Sequence, residues 1–250
     1  MEKKIMKCML DLGEALLSSG AEINRVEDSL YRVGKAFGLQ RVDVFVLTTV
    51  INLTVTYSDG TQETQTRRSL KGSSANFDKL EKLNSLCRNC ANMNICEFEE
   101  ELRKITLEKS SKFKLLAGSV LAAFAFALFF GGNIIDGCVA GLFAVVICFA
   151  QIFFSSVSPN KIFFYFITAL ICGLGIYALK IVLPMLNVDK VIIGDIMLLI
   201  PGVAITNSIR DIVIGDTVSG IIKLAESLLW AVALAGGFML AMVIMGGIAV

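Results

Sequence analysis

The 250-residue chain is 55% apolar with a mean hydropathy of +0.72, too oily for an ordinary soluble enzyme. A net charge of +1 offers no basic surface for nucleic acid, and the absence of histidine excludes Ser-His and Cys-His catalysis and removes the commonest metal ligand. Residues 1–114 hold 18 of the 23 Lys and Arg and 16 of the 22 Asp and Glu, leaving 5 and 6 for the remainder. That division predicts a small cytoplasmic α+β domain over 1–112 followed by a transmembrane domain over 113–250. Acids at Glu2, Asp11 and Glu14 interrupt any signal-peptide core, so the first hundred residues are expected to stay on the side of synthesis.

Residues 5–19 repeat apolar positions at helical spacing until Ser18-Ser19-Gly20 breaks the pattern. Ser19-Gly20-Ala21-Glu22 reads as a capping box for a second amphipathic helix, about Ala21–Phe37, that stops at Gly38. On it Asn24, Arg25, Glu27 and Asp28 form a polar patch, either a solvated face or a docking or ligand surface. Val42, Val44 and Val46 alternate as a strand. The β-branched run Thr48–Tyr57 predicts another, and Ser58-Asp59-Gly60 turns into a third over Thr61–Arg68. Arg67-Arg68, at its end, reads as an anion contact or a surface pair. Helices over about Asn76–Asn89 and Glu97–Lys109 lead to the membrane.

The sequence CRNCANMNIC groups Cys87, Cys90 and Cys96, a spacing that suggests zinc or redox chemistry. A zinc site would need a fourth ligand, and only Cys8 remains in this half. On a helix, Cys87 and Cys90 share a face suited to a core. No metal or cofactor is expected. Cys138, Cys148 and Cys172 read as small apolar fillers of membrane spans.

Uncharged runs cover 115–135, 137–160, 162–179 and 227–250, each near the roughly 20 residues that cross a bilayer. A shorter segment, Val191 to about Thr206, is interrupted by Asp195 and Pro201-Gly202, giving five expected crossings with the fourth broken. Lys109, Lys112 and Lys114 before the first span, Lys161 after the second, and Arg210 and Lys223 before the last outweigh Lys180 and Lys190. The bias places the N-terminal domain inside and the C-terminus outside. Gly137-x-x-x-Gly141, Gly173-x-Gly175, Ala231-x-x-x-Ala235 and Gly236-Gly237 read as ordinary membrane composition or as close helix contacts.

The stretch IPGVAITNSIRDIVIGDTVSG, residues 200–220, is unusual in so apolar a half. Pro201 frees the carbonyl of Met197 and is expected to bend the helix there; such breaks need a protein-buried or wet setting and leave backbone groups available to a substrate or ion. Beyond it, Thr206 with Arg210 and Asn207 with Asp211 are i, i+4 neighbours, and Gly215-Asp216 reads as a helix end. Residues 207–222 are either a solvated cytoplasmic loop or an amphipathic interfacial segment facing a pathway. Asp195, Asp216, Lys223 and Glu226 flank it, and charges so placed are functional candidates.

LLSSGAEINRVEDSLYRVGKAFG, DVFVLTTVINLTVTYSDG with TRR after it, and LIPGVAITNSIRDIVIGDTVSGIIKLAESLL together resemble the threonine/serine exporter family over most of the chain. The last stretch is the most specific, and the CRNC region matches no motif of the family. The resemblance implies a soluble domain joined to a multi-span domain that exports small polar metabolites across the bacterial inner membrane. In the family's split form the second membrane half is a separate small multi-span protein, and one such pair is assigned to succinate export. With five expected spans this chain resembles the larger subunit of that form, with a homo-oligomer also open. By position, the membrane motif falls on Pro201, Gly202, Asn207, Arg210, Asp211, Gly215, Asp216, Ser219, Gly220 and Glu226. The N-terminal motif falls on Ser19, Gly20, Ala21, Glu22, Arg25, Thr49, Arg67 and Arg68.

No G-x-x-x-x-G-K-[ST] phosphate loop occurs, so an ion or proton gradient would drive transport. Asp211, Asp216 and Glu226 are then candidate carriers, with Arg210 pairing a substrate carboxylate or one of these acids. The alternative is a membrane-anchored sensor or scaffold whose soluble domain binds the metabolite. An intramembrane hydrolase would need two facing aspartates, a condition that Asp195 and Asp216 meet only loosely.

Overall fold

The computed structural model describes residues 2–68, 76–108, 111–157 and 160–245. Lys109 of the basic flank and residues 246–250 of the last apolar run lie outside the described residues. Two compact units emerge: Met1–Lys109 with Val203–Leu224, and Ser110–Gly202 with Ala225–Val250.

The first unit begins with α1 (Glu2–Ser18) and α2 (Ile23–Ala36), whose buried Ile23, Val26, Leu30 and Val33 recur at helical spacing. An antiparallel sheet follows, ordered β1 (Arg41–Val46), β2 (Val50–Thr56), β3 (Gln62–Arg68), with Val44 opposite Leu53 and Leu53 opposite Gln65. Ile51, Leu53 and Val55 of β2 are fully buried, while β3, reading QETQTRR, keeps no fully buried residue. A polar, charged outer strand suits a sheet edge, where exposed apolar backbone would invite pairing. α3 (Phe77–Asn89) and α4 (Ile95–Leu107) add Leu83, Leu86, Phe98 and Leu102 to the same core, Phe98 meeting Phe37 edge-on at 5.4 Å.

Local chemistry corrects one expectation. Ser19 does not open α2: its hydroxyl donates to the Ala15 carbonyl at 2.7 Å, and Gly20, at φ 90°, closes α1. The amides of Gly20 and Ala21 donate to Leu17 and Leu16, the paired bonds of a Schellman cap. Glu22 is itself the residue preceding α2 and makes no side-chain cap bond. A capping box does occur at α4, where Asn94 accepts from the Cys96 and Glu97 amides and Glu97 returns a bond to the Asn94 amide. Thr48 and Thr49, expected to begin a strand, instead form the turn before β2, and Thr49 is exposed.

The second unit contains α5 (Lys112–Phe129), α6 (Ile134–Val157), α7 (Lys161–Val182), α8 (Val188–Leu199) and most of α10 (Thr217–Met245). Among the described residues four helices, α5, α6, α7 and α10, are long and apolar enough to cross a membrane. The expected fourth span is divided. α8 has 12 residues, about 18 Å at the α-helical rise, and Pro201 ends it rather than bending it. Ile200 takes the extended conformation that a following proline demands, and the Gly202 amide turns back to the Ile200 carbonyl at 2.8 Å before α9 (Gly202–Ile214) starts.

The glycines mark close contacts, as the sharper reading expects. A Cβ on Gly237 would lie 2.4 Å from the Phe166 carbonyl, one on Gly173 2.6 Å from Ala241, and one on Gly194 2.8 Å from the Ala123 carbonyl. Cys87 and Cys90 sit in the core of the first unit and Cys172 in that of the second, Cys148 is buried, and Cys138 is exposed. Among the described residues no group of three or more metal-ligating side chains comes together.

Candidate functional site

In the first unit the polar segment forms a helical hairpin from α9 and the start of α10. Gly215, at φ 116°, ends α9; its amide reaches Ile212 and the Asp216 amide reaches Asp211, again a Schellman cap. Gly220 lets the two arms approach, because a Cβ there would meet the Ser208 carbonyl at 2.8 Å and the Ile212 amide nitrogen at 2.9 Å. α9 is two-sided: Ser208 and Asp211 are buried, whereas Ile209 and Val213 are exposed. That is the amphipathic form expected of an interfacial helix.

Three charges of this hairpin, Arg210, Asp211 and Lys223, are paired within the unit. Lys223 Nζ donates to Asp211 Oδ2 at 2.8 Å, with Asp211 only 1% exposed. Arg210 Nη1 donates to Glu22 Oε1 at 2.8 Å, so the acid that does not cap α2 is turned toward α9. Arg210 therefore pairs with an acid of the N-terminal motif and not with one of its own. Arg25 Nε lies 3.9 Å from the other Glu22 oxygen. Glu27, accepting from the Val46 amide at 2.9 Å, has its carboxyl pushed above the usual range by burial; the Val46 bond opposes this, and the nearby Asp216 charge adds to it. Of the remaining candidates, Thr206 is exposed and Asn207 half-buried on α9, and Arg68 is exposed at the end of β3. Arg67 pairs with Asp11 and, at 3.7 Å, Glu14 of α1, which makes it an internal strut.

The second unit has a different electrostatic character. Asp195 on α8 is fully buried, and among the described residues neither of its oxygens has a hydrogen-bond partner; Thr168 Oγ1 on α7 is likewise buried and unsatisfied there. Cys172, one turn beyond Thr168, lies within electrostatic reach of Asp195. Buried polar atoms without partners are uncommon and call for an explanation. Pro201 is buried, Gly202 is exposed, and Glu226 lies exposed on α10.

A family model described as a threonine/serine exporter, ThrE, matches residues 7–245. The chain belongs to the threonine/serine exporter family. It is accordingly a membrane transport protein of the exporter type, and its family's activity is transport rather than catalysis. No curated protein and no solved structure gave a match.

The exporter also contains a functional-looking acid that sequence reasoning passed over. Asp136 separates two apolar runs and reads as a span boundary, yet it is fully buried. Its oxygens accept from the Asn187 amide at 2.8 Å, from Asn187 Nδ2 at 2.9 Å and from the Asn133 amide at 2.8 Å, tying the start of α6 to the α7–α8 turn. The pattern Asn133-x-x-Asp136 is a capping signature, the one sequence signal that could have found it. Lys180 acts nearby, its ammonium donating to the Pro184 and Leu186 carbonyls beyond the end of α7.

Proposed function

We propose that this chain is the larger subunit of a gradient-driven exporter that moves a small polar metabolite, threonine or serine first and a dicarboxylate such as succinate second. It would work in the bacterial inner membrane with a small multi-span partner subunit, its N-terminal domain cytoplasmic and α8 with its break counted as the fourth of five crossings. The observation that carries this reading is Asp195, a fully buried acid that among the described residues has no partner for either oxygen. A carboxylate in such a setting needs a proton or a cation, and a group that takes up and releases either is what couples a gradient to transport. The break at Pro201-Gly202 lies just beyond the end of α8 and would let that helix move with the ion. Asp211 and Arg210 are assigned a different part, since both are occupied by partners in the first unit. They would hold the α9–α10 hairpin against the soluble domain. Asp216 and Glu226 remain secondary carriers in this reading.

Vesicles containing the chain, alone and with a candidate small subunit, test it with labelled threonine, serine and succinate under an imposed proton or sodium gradient. Gradient-driven flux of one of these is expected, and Asp195→Asn is expected to abolish it while leaving insertion intact. Full flux through a correctly inserted Asp195→Asn protein would overturn the proposal.

A further inference from the structure

The soluble part of the first unit has a cleft that the transport reading leaves unused. Arg25, Asp28, Ser29 and Arg32 on α2 fall at i, i+3, i+4 and i+7, one face of the helix. Asn84, Cys87 and Arg88 on α3 repeat the pattern at i, i+3 and i+4. The two faces enclose a cavity of about 310 Å³, with the buried Ser29 and Cys87 lying between the more exposed charged residues. Three guanidinium groups meet one carboxylate there. Asp28 is already committed to Arg32 at 3.2 Å, Arg25 reaches Glu22 only at 3.9 Å, and Arg88 has no hydrogen bond or ion pair among the described residues. Cys87 is not a nucleophile in this setting, because burial pushes its thiol up to about 12 even with Arg32 and Arg88 near.

We infer that this cleft is a binding site for a small dianion, a phosphate or a dicarboxylate, held by Arg25 and Arg88 with Asn84 as a neutral donor. The chemistry follows from the groups present. A planar guanidinium offers paired donors that match two oxygens of one carboxylate or phosphate, and such charge-assisted bonds are the strong ones. The surplus of positive charge disfavours a zwitterion such as a free amino acid, which would bring an ammonium among three arginines. The volume suits a molecule of about ten heavy atoms or fewer, at the low end of small-ligand sites. Ligand here would bridge α2 to α3, and α2 follows directly from Glu22, the partner of Arg210. Occupancy of the cleft would therefore be felt at the α9 hairpin, which makes the site a sensor of a cytoplasmic anion.

Calorimetric titration of the full chain in lipid nanodiscs tests this, at fixed ionic strength in gluconate buffer, with inorganic phosphate, succinate, succinamide and threonine. Saturable one-to-one binding of phosphate, of succinate or of both is expected, with none for succinamide. Phosphate alone would identify a tetrahedral oxyanion site, and succinate alone a dicarboxylate site. Arg25→Gln/Arg88→Gln should weaken binding at least tenfold. Asp28→Asn should strengthen it severalfold by removing the competing carboxylate, a gain that no folding defect can mimic. Asp195→Asn should leave it unchanged. Absence of saturable binding by either dianion, threonine binding that is tighter and equally weakened by Arg25→Gln/Arg88→Gln, or equal dianion affinity in the double variant would overturn the inference.

Discussion

Asp136 and Asp195 are both fully buried acids of the helical unit, and Asp211 is their near-equal in the other unit, yet the three are satisfied to different degrees. Asp136 accepts three hydrogen bonds. Among the described residues Asp211 has one oxygen on Lys223 and the other unpartnered, and Asp195 has neither oxygen partnered. Burial alone therefore does not separate a structural acid from a working one. Once an acid's oxygens are filled by fixed donors it has no capacity left for a mobile ion, whereas an unfilled pair retains that capacity.

The comparison can be broken by stability measurements on detergent-solubilised protein. Asp136→Ala should cost most, about 3 kcal/mol, because it removes three hydrogen bonds to a buried carboxylate; a loss below about 1 kcal/mol would remove the contrast. Lys223→Met should cost roughly 2–3 kcal/mol by leaving Asp211 buried and unpaired, discounted because Lys223 retains some exposure. The double variant Asp211→Leu/Lys223→Met should recover most of that loss. Asn187→Ala, which removes one of the donors to Asp136 and keeps the backbone one, should cost about 1 kcal/mol. Arg210→Ala, about half exposed, should change stability by less than about 1 kcal/mol. Asp195→Asn should be neutral or slightly stabilising, since it removes no bond and lightens a buried polar burden.

The smallest effect is one of pH. Burial raises the Glu27 carboxyl in the folded protein, so the folded state holds its proton longer than the unfolded state does. Stability from this group is full below the ordinary carboxylate range and falls as pH rises through the folded value. Glu27→Gln should flatten that slope in a pH series of thermal melts.

Much of the fold was legible because local rules govern it. Helical spacing located α1 and α2 to within about three residues, Ser58-Asp59-Gly60 marked the β2–β3 turn, and apolar runs marked the long helices. Pro201 announced a break, although spacing could not say that the helix would end there. What stayed hidden depends on distance along the chain. Glu22 and Arg210 are 188 residues apart, and nothing near either one names the other. Arg67 looked like a surface group because Asp11 and Glu14 lie on a helix made long before it. Asp136 looked like punctuation between spans, since its donors come mostly from the turn at Asn187.

That the first unit is assembled from Met1–Lys109 and Val203–Leu224 has a consequence for biogenesis. The ribosome delivers α1 through α4 first, then the whole of Ser110–Gly202, and only afterwards the hairpin that pairs with Glu22. During that interval Glu22, just before α2, awaits its cation. Domains ordinarily fold as they emerge, N-terminal first. Here one ion pair of the first unit is completed only near the end of the chain, although its apolar core is drawn from Ile5 to Leu102, so a product stalled in the membrane segment would have its core but lack the Glu22–Arg210 pair.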